Sequence, residues 1–211
     1  MNSVHLSIDD IYMSLRSEEN NILSVLKQMH TAFGAKFTLY HYTDMEGWQI
    51  EQIPKPIGAF LKDNRDWLKL GFHSANETPF SSSERDYNQC FLRSRCIWGK
   101  LKAATTDILR LHYWDATDEQ KDFLRKKGVQ VLLMRDDDDL PYDEFDKYEE
   151  CGITMRRTRV RFENITDISL DSLHIGKPFI AAFTHEWCFA ENEGKIWRAL
   201  EIYSGNGYTF I

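Results

Sequence analysis

Along this chain short apolar runs alternate with segments of helical periodicity, and that alternation narrows the fold more than any other feature. Val4–Ile8 is apolar and stops at Asp9-Asp10. Between Asn21 and Ala32 the apolar residues Ile22, Leu23, Leu26 and Met29, continued by Phe33, fall at steps of three and four, and Gly34 closes the segment as a helix C-terminus. Lys36–Tyr42 is β-rich, Ile57–Trp67 follows Pro54 and Pro56 as a helix, and Leu68–Phe72 is a strand ending at His73. The same order continues: a helix from Glu84 to Lys102 after the loop Ser81–Ser83, a strand at Ile108–Leu111, and a helix from Asp118 to Lys127 capped by Asp115 or Thr117 and closed by Gly128. A buried strand follows at Val129–Met134, then β-rich Ile153–Phe162, a strand at Pro178–Thr184 and a last helix at Lys195–Tyr203. Strands separated by helices are expected to run parallel, since a parallel neighbour is reached only through a crossover. An open doubly wound sheet and a closed barrel both satisfy this order. About seven strand candidates favour an α/β fold of the irregular (β/α) barrel type, with residues 1–211 as a single domain.

Composition removes several function classes. Lys and Arg total 26 against 33 Asp and Glu, a net charge of −7, which speaks against nucleic acid as the partner. The run Arg156, Arg157, Arg159 and Arg161 is a local exception, and the acidic stretch Asp136–Glu150 is expected to balance it. Cys90, Cys96, Cys151 and Cys188 include no C-x-x-C pair, so no zinc knuckle is expected. The first ten residues lack a basic start and apolar core, and no window spans a membrane; a cytoplasmic protein with reduced thiols and no membrane partner is expected. Oligomeric state is not legible.

Ligands of parallel α/β folds bind beyond the carboxyl ends of the strands. Here those ends carry Asp9-Asp10, His73, Arg110 with His112, Asp136–Asp139 and His185, groups far apart in sequence that a barrel gathers on one rim. Singly, each has a plain reading: an Asp after a strand is a common turn or cap residue, Asp136–Asp139 reads equally as a solvated acidic loop, and Glu77 before Thr-Pro as a surface residue. Together they form a pattern the plain readings do not predict. His73 and Glu77, four apart, share a face if the segment turns helically. With Asp10 they make three ligands for a divalent metal, zinc before cobalt, nickel or manganese, and leave a position for water. His112 is left open between metal ligand, substrate contact and packing.

Taken in order, these motifs resemble those of the polysaccharide deacetylase family, carbohydrate esterase family four, whose chitooligosaccharide deacetylase-like domains are irregular (β/α) barrels that remove acetyl groups from sugars. The resemblance covers nearly the whole chain and rests on Leu6-Ser7-Ile8-Asp9-Asp10, His73-Ser74-Ala75-Asn76-Glu77, Arg110-Leu111-His112-Tyr113, the aspartates at 136 and 137, and Phe183-Thr184-His185. It implies Asp9 as general base, Asp10 and His73 as metal ligands, Arg110 holding the base, Asp136 or Asp137 as the acidic partner of His185, and His185 as general acid. Three positions depart from the pattern: Ile11 stands where Gly is common, Glu77 where a second His is usual, and His112 where Pro is usual.

The function implied is hydrolysis of an N- or O-acetyl group from a carbohydrate or small amide, assisted by the metal. Tyr113, Trp114 and Trp187 are candidates for stacking on a sugar ring, or for plain packing. The alternatives are a catalytically silent domain of this fold that binds a glycan or a partner protein, and a metal-free glycosidase using two carboxylates.

Overall fold

A computed structural model describes residues 2–19, 22–77, 87–114 and 116–211. Strand β1 (Ser3–Ile11) leads into the short helix α1 (Met13–Arg16), then α2 (Leu23–Phe33) and β2 (Phe37–Tyr42). A small hairpin, β3 (Asp44–Met45) and β4 (Trp48–Gln49), precedes α3 (Lys55–Asp63), β5 (Leu68–Ser74) and α4 (Tyr87–Leu101). Then come β6 (Ala104–Thr105), β7 (Ile108–Leu109), α5 (Asp118–Lys126), β8 (Val131–Met134), β9 (Lys147–Glu150) and β10 (Ile153–Arg157). The chain ends with β11 (Val160–Arg161), β12 (Phe179–His185), α6 (Phe189–Gly205) and β13 (Thr209–Phe210). Ser81–Ser83, the start proposed for a helix at Glu84, and Asp115 lie outside the described residues.

The helices form where the spacing puts them. In α2, Leu23, Leu26 and Met29 are buried on one face, and Gly34 at φ 68° donates its N–H to the His30 carbonyl. Thr117 begins α5 with a reciprocal cap: its side chain accepts from the Gln120 N–H, and the Gln120 side chain accepts from the Thr117 N–H. The last helix is longer than the sequence pattern suggests, starting at Phe189 rather than Lys195.

Apart from the β3–β4 hairpin, two sheets carry the strands. The first runs β11-β12-β1-β2-β5-β6 with every pairing parallel, and β13 adds to the start of β1; the second runs β7-β8-β10-β9, parallel except for the β9 edge. The ladder therefore does not close into one hydrogen-bonded barrel among the described residues. It is broken at two seams, where the chain steps from β6 to β7 and from β10 to β11. At the first seam the backbone groups are satisfied locally: Thr106 Oγ1 accepts from the Ile108 N–H, and the Asp107 carbonyl accepts from Gln130 and Val131. At the second the Thr158 N–H donates to the Met134 carbonyl.

Two apolar clusters flank the strands, the second shared by both sheets. Leu6, Ile8, Leu39 and Leu70 lie with Leu26, Ala199 and Leu200 of the covering helices. Phe72, Phe91, Leu132, Leu133 and Met155 lie on the other side. Each such side chain contributes about 1.5–3 kcal/mol by leaving water. Tyr40 joins the two sheets. Its ring lies over the bare backbone of Gly71, where an added Cβ would stand 2.4 Å from the ring, and its hydroxyl donates to the Ile108 carbonyl in β7 at 2.7 Å. No helix among the described residues is long and apolar enough to cross a membrane.

Candidate metal centre

The end of β1 is bent to present Asp10. Pairing of β1 with β2 shifts register between Ile8 and Ile11, and Asp10 sits at φ 60°, a left-handed conformation that Asp tolerates better than most residues. Glu186, just past β12, holds the chain that follows: its buried carboxylate accepts the N–H groups of Tyr12, Met13 and Ser14 at 2.9, 2.8 and 2.7 Å. Asp10 is thereby fixed between three strand ends. Its Oδ1 accepts from the Tyr42 hydroxyl at 2.6 Å and lies 3.2 Å from His73 Nε2 and 3.6 Å from His112 Nδ1. Its Oδ2 accepts from the Trp187 indole at 3.1 Å and lies 4.0 Å from His185 Nε2.

The two histidines show what belongs at the centre of this group. His73 Nδ1 is 2.6 Å from the Arg110 carbonyl and His112 Nε2 is 3.1 Å from the Glu77 carbonyl. A carbonyl only accepts, so each of these nitrogens carries the proton, and in a neutral ring the opposite nitrogen is a bare lone pair. His73 Nε2 and His112 Nδ1 face one another at 3.2 Å beside the Asp10 carboxylate. Burial and the neighbouring His73 hold His112 down to about 4, so it is neutral near pH 7. Asp10 Oδ1, His73 Nε2 and His112 Nδ1 converge with the Tyr42 hydroxyl beside them, 2.6 Å from Asp10 and 3.2 Å from His112, an arrangement that a cation completes. The separations of 3.2, 3.2 and 3.6 Å also bracket the edge of roughly 3.3 Å expected between ligands about 2.0–2.1 Å from a tetrahedral zinc. Backbone carbonyls orienting both rings are the outer contacts that metal-ligating histidines use. Asp10, His73 and His112 are thus a group able to hold a metal ion.

The sequence reading had Glu77 in this set. In the structure β5 continues through Ser74 and is followed by a bend, not a helical turn, so the spacing of four does not place Glu77 on the His73 face. Glu77 is exposed and contributes its backbone carbonyl, while His112 supplies the third donor. The signal for His112 was its position just past the strand carrying Arg110.

A buried pair flanks the group on one side. Asp9 Oδ2 is 3.0 Å from Arg110 Nε, and Asp9 Oδ1 accepts from the Ser7 hydroxyl at 3.1 Å. Arg110 is itself buried, donates to Thr158 Oγ1 at 3.1 Å and lies 4.0 Å over the Phe183 ring. Burial pushes the Asp9 carboxyl above the ordinary carboxylate range, with Arg110 opposing it. For Asp10, burial acts the same way but is outweighed by His73 and the Tyr42 hydroxyl, so that carboxyl lies below its ordinary value. Two adjacent carboxylates thus diverge: Asp10 is held ionised and Asp9 is the more basic.

On the other side stands His185, whose partner sequence reasoning missed. Glu163 Oε1 accepts the Thr184 hydroxyl and the His185 N–H, each at 2.7 Å, and lies 3.1 Å from His185 Nδ1. Burial would raise the Glu163 carboxyl, yet the His185 ring, the Thr184 hydroxyl and the backbone N–H bring it down to about 2. The acidic partner of His185 is therefore Glu163, not Asp136 or Asp137. Those two are taken by arginines: Asp136 pairs with Arg157 and Asp137 with Arg135 at 3.2 Å. The expected balance between the arginine run and the acidic stretch is seen in these pairs and in those joining Arg157 to Asp138 and Arg159 to Asp146. Glu163 carried little sequence signal, because it sits in a short 3-10 turn after β11 rather than at a strand end.

Of the three aromatics, Trp187 is 62% exposed and stacks on His185 with ring centres 5.2 Å apart, and Tyr113 is 58% exposed with its ring 4.3 Å from that of His112. Trp114 is half-buried beside them. Tyr113 and Trp114 have φ of 57° and 54°, a strained turn next to the metal-ligating candidates.

No family model and no curated protein matches the chain. Solved structures do, and several are family-four carbohydrate esterases. A family-four carbohydrate esterase from Streptomyces lividans, in complex with acetate, is 14% identical with a TM-score of 0.57, covering 99% of this chain and 91% of its own. A family-four pseudoenzyme from Bacillus anthracis is 12% identical with a TM-score of 0.58, over 99% of this chain and 63% of its own. A 4-alpha-glucanotransferase from Thermococcus litoralis is 12% identical with a TM-score of 0.67, over all of this chain and 39% of its own. The chain has the fold of the family-four deacetylases and resembles that family. Since one fold serves hydrolase, transferase and pseudoenzyme, function has to be argued from the site.

Proposed function

We propose that this protein is a metal-dependent hydrolase that removes an N- or O-acetyl group from a carbohydrate or related small molecule. The observation that carries the reading is the convergence of Asp10, His73 and His112 between a buried carboxylate, Asp9, and a carboxylate-supported imidazole, His185. When bound, a divalent ion, zinc in this reading, would supply polarisation of the acyl carbonyl and a lowered pKa for water. The protein's own groups divide the proton work. Asp9, made more basic by burial and kept in place by Arg110 and Ser7, accepts the proton from the attacking water. His185, whose Nδ1 is engaged by Glu163, keeps Nε2 turned toward Asp10 and delivers a proton from it to the departing amine or alcohol. Trp187 and Tyr113 offer exposed rings on either side of the group for a sugar face.

The presence of the base, the acid and three donors together favours a working enzyme over a silent domain, and the convergence of two imidazoles on one carboxylate disfavours a metal-free glycosidase. Metal content of purified wild type, measured by mass spectrometry, tests the reading. Near-stoichiometric divalent metal is expected. Asp10→Ala and His112→Ala should reduce it to trace levels, and Glu77→Gln should leave it unchanged. Wild type that stays metal-free after incubation with zinc, cobalt, nickel and manganese would sink the proposal. Loaded protein that releases no acetate from any acetylated sugar would leave a binding domain.

A further inference from the structure

We infer that the substrate carries an anionic substituent, a carboxylate or a phosphate monoester, held beside the hydrolytic groups by Arg161. The inference takes the acetyl group from the reading above; the anion site stands on separate residues.

The site is a cavity of about 340 Å³ whose lining includes Arg135, Asp136, Thr158, Arg159, Arg161 and Phe183. Its wall is shared with the hydrolytic centre. In the β11–β12 pairing Arg161 stands opposite Phe183, and in the β12–β1 pairing Phe183 stands opposite Ser7 and His185 opposite Asp9. Alternate residues of a strand share a face, so Phe183 is in line with His185, and the two rings are 5.4 Å apart. The same Phe183 ring supports Arg110, and Thr158 accepts a hydrogen bond from Arg110. A ligand in the cavity therefore touches the residues that hold the base.

Unused donors identify the ligand. Three guanidinium groups and one carboxylate line this cavity; Asp136 is paired with Arg157, and Arg135 with Asp137 and Asp139. Arg159 is committed to Asp146 through Nε and Nη2. Arg161 is not committed in this way. Among the described residues it uses only Nε, toward Glu163 Oε2 at 3.3 Å, and its side chain is 36% exposed. Both of its Nη groups remain for a ligand, and Thr158, already accepting from Arg110, has its hydroxyl proton to donate. A forked guanidinium binds carboxylate and phosphate oxygens in pairs, which a neutral hydroxyl cannot match.

Calorimetric titration of the metal-loaded protein tests this with N-acetylglucosamine as the neutral probe, and N-acetylglucosamine 1-phosphate and N-acetylmuramic acid as the phosphate and carboxylate probes. At least one anionic probe should bind tenfold or more tightly than the neutral one, and which of them wins identifies the anion. Arg161→Gln should erase that preference while keeping metal content and affinity for the neutral sugar, and Arg161→Lys should retain part of it. Asp9→Asn, expected to lose turnover, should keep the preference, so a failure of the hydrolase reading is separable from a failure of this one. Equal binding of all three probes, no binding of either anionic probe, or a preference that survives Arg161→Gln overturns the inference.

Discussion

Glu163 shows how much a single side chain can decide. Three bonds from Thr184 and His185 hold its carboxylate ionised down to about pH 2, although burial opposes the charge. Its folded pKa lies below that of an ordinary Glu, so it adds stability above about pH 4.3, and that stability is lost as pH falls toward 2. Glu163→Gln is expected to flatten the pH dependence of the unfolding midpoint between pH 5 and 2.5 in thermal melts. The same substitution removes the carboxylate engaging His185 Nδ1 and should lower kcat by roughly 10²-fold, the lower range of what a positioned proton donor contributes. If kcat and the acid melts both match wild type, Glu163 does not support His185. The residues legible in sequence were those ending strands: Asp9, Asp10, His73, Arg110 and His185. Glu163 and the ligand position of His112 were not, because both follow from turns whose path is set by tertiary packing and not by local pattern.

At the level of elements, the approach to the site depends on α1, which has only four residues and no side-chain cap of its own. A helix that short cannot hold itself, since fixing its first turn is unfavourable in isolation. Glu186 holds it from across the fold by accepting from the N–H groups of Tyr12, Met13 and Ser14. Glu186→Ala is expected to cost about 2–4 kcal/mol in urea unfolding, from buried donors left without partners. Glu186→Gln keeps one acceptor oxygen and should cost less. Equal stability of Glu186→Ala and wild type would mean the segment after Asp10 is held by something else. This contact was invisible in sequence, since the partners are more than 170 residues apart. The amphipathic helix α2 and the capped helix α5 were legible, because spacing and caps are local. The irregular (β/α) barrel was legible in the order and number of the strands, but strand count says nothing of the seams at Thr106–Asp107 and Thr158–Arg159, where local hydrogen bonds replace the ladder.

Across the whole molecule the candidate metal donors join the two sheets. Asp10 and His73 end β1 and β5 of the first sheet, while His112 follows β7 of the second, just beyond the seam. Tyr42 and Tyr40 tie the same parts: the Tyr42 hydroxyl, which donates to Asp10, is 3.2 Å from His112 Nδ1, and the Tyr40 hydroxyl donates to the Ile108 carbonyl. Without a cation the three donors lose their common partner at the point where the ladder is already broken, so chelation should weaken the junction and not just the site. A ligand at a thousand times its Kd stabilises the folded state by about 4 kcal/mol. For a chain of this size each kcal/mol moves the midpoint by about 2–4 °C, so removing the metal should lower Tm by roughly 10 °C. Calorimetry of loaded, chelated and reloaded protein measures this. The loss should reverse on reloading, and Asp10→Ala and His112→Ala should melt at one temperature with or without metal. Hydrogen exchange adds the spatial test: protection lost on chelation should concentrate in β6, β7 and the ends of β1 and β5. A chelated protein that melts at the loaded temperature would show that the sheets are joined without help from the metal, and that the three donors serve chemistry alone.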